Sequence, residues 1–81
     1  MATAAEDLVA VVRLLVDDPK GVSATEAVLA GDAVELQLSV ASEDRGKVIG
    51  RHGRTIDALR ELAQVRGERD GRSYAVEIVE D

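Results

Sequence analysis

The sequence predicts an α+β fold with the element order α-β-β-α-α-β, in which a three-stranded sheet carries its helices on one face. Three observations lead there: apolar residues at helical spacing near the start, a strict apolar-polar alternation from Val34 to Val40, and a second helical stripe followed by a second alternating run after residue 53. With 81 residues the chain fits one small domain, 1–81. A domain of this size buries only roughly 60–65% of its unfolded surface, so self-association would add stability.

Leu8, Val11, Val12 and Leu15 fall at i, i+3, i+4 and i+7, which predicts a helix from about Ala4 to Val16. Asp17, Asp18 and Pro19 stop it, since the residue before a proline avoids the α region. Glu6, Asp7 and Arg13 make this segment unlike a signal peptide, and its apolar run is too short to span a bilayer. The chain therefore reads as soluble and cytoplasmic.

Val34, Leu36, Leu38 and Val40 alternate with Glu35, Gln37 and Ser39, the pattern of a half-buried strand. Gly31-Asp32 suits a two-residue turn with glycine at the position of positive φ, so Val22 to Ala30 is expected to form the other arm of a hairpin. Ser42 followed by Glu43 and Asp44 reads as a capped start of a short helix, Ser42 to Ile49. A further helix is expected from about Arg54 to Val65, burying Ile56, Leu59, Leu62 and Ala63, with Gly67 and Asp70-Gly71 at its exit. Tyr74, Val76 and Ile78 then alternate with Ala75, Glu77 and Val79 in a last strand, whose second apolar set would meet the sheet edge or a partner.

The formal charge is −6, which argues against a generic polyanion binder. The charge is nevertheless segregated. Between Arg45 and Arg60, Arg45, Lys47, Arg51, Arg54 and Arg60 face the single acid Asp57, a local balance of +4, and the remainder of the chain carries −10. The centre of this strip is VIGRHGRTI, Val48 to Ile56.

Gly50 and Gly53 stand at the joint of two expected helices. The bland reading is a helix-to-helix turn in which glycine merely caps. The functional one is that two glycines bare the backbone where the unpaired amides and dipole of a following helix favour an anion. Lys47, Arg51, His52 and Arg54 would stand around a phosphodiester there, while Ile49 and Ile56 offer an apolar floor for bases. Arg60 can pair instead with Asp57, three residues earlier on its helix.

Other chemistries are poorly supported. There is no cysteine and one histidine, so a zinc site is excluded and no metal or cofactor is expected. His52 has no serine, cysteine or acid motif beside it, and an enzyme is not indicated. Gly46-Lys47 is followed by Val48 and position 41 is Ala41, so no phosphate-binding G-x-x-x-x-G-K-[ST] loop is present. Tyr74 is the only aromatic, which removes the stacking platforms of RRM and OB folds. A helix beginning RTIDALRELAQV offers few side chains for reading DNA bases.

VIGRHGRTI matches V-I-G-x-x-G-x-x-I, the core of K-homology (KH) domains, and the element order resembles the type II arrangement found in bacteria. The chain thus resembles the small bacterial proteins of the KhpA (YlqC) family, built on one KH domain. The resemblance implies a single-stranded RNA-binding module whose loop, Gly50 to Gly53, clamps the backbone of about four nucleotides. It further implies that Ile49 and Ile56 line the base groove and that Arg51 and His52 are the variable pair facing phosphates. It implies, too, a homodimer, pairing with a larger KH-domain protein, and a part in post-transcriptional regulation and cell shape. A competing reading, favoured by the acidic balance and the apolar residues of the last strand, is a protein-interaction and dimerisation module with weak RNA affinity.

Overall fold

The computed structural model describes residues 2–80. Three strands form one sheet in the order β1-β2-β3: β1 (Ser23–Ala30), β2 (Ala33–Ser39) and β3 (Ser73–Ile78). β1 pairs antiparallel with β2 across the Gly31-Asp32 turn, and β3 lies parallel to β2 on its other side. The hairpin arm at β1 ladders despite its alanines because β2 supplies a continuous partner; the register shifts between Val28 and Ala30.

Helices α1 (Ala4–Arg13), α2 (Arg45–Ile49) and α3 (Arg54–Asp70) complete the order α-β-β-α-α-β. The core lies under one face of the sheet, where Val34, Leu36 and Leu38 of β2 and Val76 of β3 meet Val12, Val48 and Leu59 from the helices. The opposite face stays open, and Ala75, Glu77 and Val79, the second set of the last strand, are exposed on it. No helix among the described residues is long and apolar enough to cross a membrane.

Three element boundaries differ from the periodicity reading. α1 ends at Arg13, not Val16, and its buried stripe is Ala4, Ala5, Leu8 and Val12, leaving Val11 and Leu15 partly exposed. The Leu14 and Leu15 amides tighten onto Val11 and Val12 carbonyls at 3.1 and 2.9 Å, and beyond Val16 the amides of Asp17 and Asp18 are taken by the Asp44 carboxylate at 3.2 and 3.0 Å. A helix cannot continue when a distant acceptor removes its donors. The start of α1 is a capping box: the Thr3 hydroxyl accepts from the Glu6 amide and the Glu6 carboxylate accepts from the Thr3 amide. The Thr3 backbone bond, and after it the hydroxyl, holds the Glu6 carboxyl below its usual range.

Ser42 does not cap a helix. Ser42–Asp44 is a single 3-10 turn with Ala41 at its cap position, and α2 proper has five residues. Asp44 turns inward, 1% exposed, to serve the α1 exit.

α3 runs to Asp70, five residues past Val65, and Gly67 lies inside it. Its buried stripe is Ile56, Leu59, Ala63 and Gly67, while Leu62, expected inside, is 58% exposed. Gly67 continues the stripe because the chain returns directly over it: a β-carbon there would lie 2.4 Å from the Arg72 carbonyl oxygen. The extra turn is held by Asp70, which accepts from Arg66 Nε at 2.9 Å and from the Tyr74 hydroxyl at 2.7 Å. Arg66 also donates to the Ala2 carbonyl at 2.7 Å and pairs with Asp7, which fastens α1 to α3.

Candidate nucleic-acid interface

The joint between α2 and α3 is a four-residue turn with three left-handed residues: Gly50 at φ +78°, His52 at φ +59° and Gly53 at φ +72°. His52 is the only non-glycine residue of positive φ among those described. Histidine tolerates this region better than most side chains, so the strain is modest and local. At Gly50 glycine is obligatory. A β-carbon there would lie 2.3 Å from Thr55 Oγ1 and 2.7 Å from Thr55 Cβ, so the turn folds back against the first turn of α3.

The turn is closed by its own backbone. Gly50 N donates to Gly46 O at 2.9 Å, Gly53 N donates to Gly50 O at 3.1 Å, and the Arg54 amide donates to Arg51 O. Gly53 sits at the N-cap of α3 with no side chain to accept from the helix. A helix start leaves its first amides without intrahelical partners and carries the positive end of the dipole, and here no carboxylate or hydroxyl cap competes with an incoming anion.

The basic side chains predicted for the site divide into two groups. Arg51, His52 and Arg54 are exposed on the turn and the first residue of α3, and none forms an ion pair among the described residues. Lys47 stands apart: it is paired with Asp17 and lies 3.6 Å from Asp44 Oδ1. The hydrogen bond to Asp17, against some desolvation, raises its pKa above the usual lysine value. Lys47 thus belongs to a bridge holding α2 to the exit of α1.

The two isoleucines also part company. Ile49 is 42% exposed at the end of α2, beside the turn, whereas Ile56 is 6% exposed and belongs to the core. Ile49 alone offers a substantial apolar surface next to Gly50.

Sequence reasoning passed over Thr55, and read Asp44 only as a first-turn acid of the short helix. Thr55 is the wall against which Gly50 packs, and its place in R-T-I right after the second glycine was the available signal. Asp44 anchors α2, and the sequence trace of that role is the i, i+3 spacing to Lys47. No group of three or more metal-ligating side chains occurs among the described residues.

This geometry sits inside a region that matches a known family from end to end. A model of the KhpA/KhpB KH domain matches residues 5–78. The protein named RNA-binding protein KhpA in Treponema pallidum is 46% identical over 82 residues, covering 99% of this chain and all of the relative. Proteins of the same name from Chlamydia trachomatis and Clostridium perfringens are 40% and 36% identical, covering 94% and 85% of this chain and 96% and 91% of their own. No solved structure gives a significant match. A family model spanning nearly every described element, and relatives aligned over almost their whole length, place the chain in the KhpA/KhpB KH-domain family.

Proposed function

We propose that residues 1–81 act as one KH domain that binds single-stranded RNA, with the turn Gly50 to Gly53 clamping the phosphate backbone. The observation that carries this reading is the bare turn, left-handed at three of its four residues and ringed at an uncapped helix start by Arg51, His52 and Arg54, none of them in an ion pair among the described residues. The name RNA-binding protein KhpA carried by the relatives supports it. Gly50, Arg51, His52, Gly53 and Arg54 form the clamp and Ile49 supports the first base; Ile56 acts from beneath, and Lys47 holds α2 in place. The acidity elsewhere confines nucleic acid to this strip. The protein works in the cytoplasm in post-transcriptional regulation linked to cell shape, by binding and not by catalysis.

The test is the double variant R51D/H52D. It leaves both glycines and the core intact, and aspartate is tolerated at positive φ. Binding to labelled mixed-sequence single-stranded RNA at low salt is expected to fall at least tenfold, roughly the effect of reversing two phosphate contacts. Affinity equal to the wild type would overturn the clamp.

A second reading concerns assembly. Leu8, Val11, Leu59 and Leu62 line an apolar groove between α1 and α3, and Val65 is exposed nearby on α3. This surface supports self-pairing as a homodimer, or pairing with a larger KH-domain protein. Two clamps on one transcript would then bind more tightly than either alone.

A further inference from the structure

β1 forms one edge of the sheet, with β2 on its inner side and no strand on its outer side. The far side of the sheet shows which of its peptide groups point outward. Ser73 N donates to Asp32 O at 3.0 Å and Val79 N donates to Leu38 O at 2.8 Å, so the even-numbered positions from Asp32 to Leu38 turn their peptide groups toward β3. The odd ones, Glu35, Gln37 and Ser39, turn theirs toward β1, where they pair with Ala27, Thr25 and Ser23. Ala24, Glu26 and Val28 are left with their amides and carbonyls on the open edge.

Edge strands of soluble proteins are ordinarily blunted by lysine, proline or a covering element. β1 has no lysine and no proline from Ser23 to Ala30, and the register shift comes only beyond Val28. Ala24, Glu26 and Val28 share one face of the strand; Glu26 is exposed and Val28 is 70% exposed. The charge here has one sign. The three strands contain Glu26, Glu35 and Glu77 and no lysine, arginine or histidine, and none of these glutamates forms an ion pair among the described residues.

We propose that the β1 edge docks an extended basic segment of another protein, which adds to the sheet as a fourth strand. The backbone of Ala24, Glu26 and Val28 supplies the hydrogen bonds. Lysine or arginine opposite Glu26, with apolar residues two positions to either side against Ala24 and Val28, supplies the selectivity, because side chains directly opposite on one face interact. Charge argues against the other occupants. The antiparallel register in which two β1 strands use all three outward residues sets Glu26 against Glu26, which disfavours a second copy. A nucleic-acid strand would bring phosphates to the same glutamates and find no cation on the sheet. The site shares no residue with the Gly50 to Gly53 turn and does not rest on the RNA-binding reading.

The test titrates the full chain with the capped peptide SVTKTVS, whose lysine and flanking valines fit that register, and reads amide hydrogen exchange by NMR. The Ala24, Glu26 and Val28 amides are expected to slow about tenfold once the site is nine-tenths occupied, while the rest of the sheet is unmoved. The same peptide N-methylated at its lysine and both valines lacks the three donors and is expected not to bind. Replacing its lysine by glutamate is expected to weaken binding to the wild type by about fivefold, and E26K to reverse that preference. No protection with peptide up to about 5 mM, equal binding of the N-methylated peptide, or a preference unmoved in E26K overturns the proposal. So does protection of the same amides by single-stranded RNA, or protection in the protein alone that rises with its concentration, which assigns the edge to a second copy. Glu26 is exposed, so E26K is expected to melt with the wild type; if it melts early, E26Q decides, by bringing the lysine-to-glutamate ratio close to one.

Discussion

Gly50 and Thr55 are in such close approach that a β-carbon at residue 50 would stand 2.9 Å from the Thr55 amide nitrogen and nearer still to its side chain. At Gly53, three residues on, the nearest atom to such a carbon is Ile56 Cγ2 at 3.9 Å, although φ is equally left-handed. The two glycines of the turn are thus needed for different reasons.

G50A should cost about 2 kcal/mol, from strain and collision together, and should abolish measurable RNA binding because the turn must open. G53A should cost about 1 kcal/mol from the dihedral alone and weaken binding less. Denaturant unfolding and anisotropy titrations give the order; equal effects would contradict the packing described.

The salt dependence of RNA binding separates the two groups of cations. R54A is expected to reduce the slope of log affinity against log salt by about 0.7, the share of one phosphate contact on a single strand. K47A is expected to leave the slope unchanged, since Lys47 is already held by Asp17 and Asp44. A slope change in K47A as large as in R54A would return Lys47 to the contact surface.

Acid stability should depend on Asp44. Burial pushes its carboxyl up, but the Asp17 and Asp18 amides and the Lys47 ammonium outweigh that and hold it below the usual carboxylate range. The Tyr74 hydroxyl foremost, aided by Arg66, lowers Asp70 in the same way. A carboxylate with a depressed folded pKa contributes fully above its unfolded value, about pH 4, and loses that contribution as pH falls through the folded one. D44N should lower the unfolding midpoint at pH 7 and flatten its acid decline, D70N should do so too, and D57N, on an exposed pair, should do neither.

Gly67→Ala runs against helix propensity. Alanine inside a helix is ordinarily worth up to about 1 kcal/mol over glycine. The Arg72 carbonyl, 2.4 Å from the new methyl, should reverse the sign and leave a net loss of about 1–3 kcal/mol. A stabilised G67A would mean that the α3 to β3 return is looser than described.

Leu62 tests assembly. It is 58% exposed beside the apolar groove, so L62D should leave the monomer folded, with its circular dichroism spectrum unchanged, while converting a dimer to monomer in sedimentation and removing whatever melting temperature the dimer adds. A wild-type chain that sediments as a monomer across a dilution series removes the proposed homodimer.

Much of this was legible from local pattern. The element order, the Gly31-Asp32 hairpin, the buried Tyr74 and the turn between two helices all follow from spacing and from residues with special dihedrals, which act over a few positions of chain. What spacing could not reach were contacts between distant residues: Leu62 sits on a helical stripe by count, but α3 turns Gly67 and Ala63 inward and leaves Leu62 at the groove.

The sequence by itself determined that positive charge gathers on a glycine turn at a helix start, because both glycines and five of the ten lysines and arginines lie within one short segment, with a single acid among them. Only the tertiary structure decided which cations are available and where the helices end. Asp44, 27 residues from Asp17 along the chain, draws its amide out of α1, and Lys47 completes the bridge. A buried carboxylate must take its donors from whatever the fold brings near, and no periodicity records that.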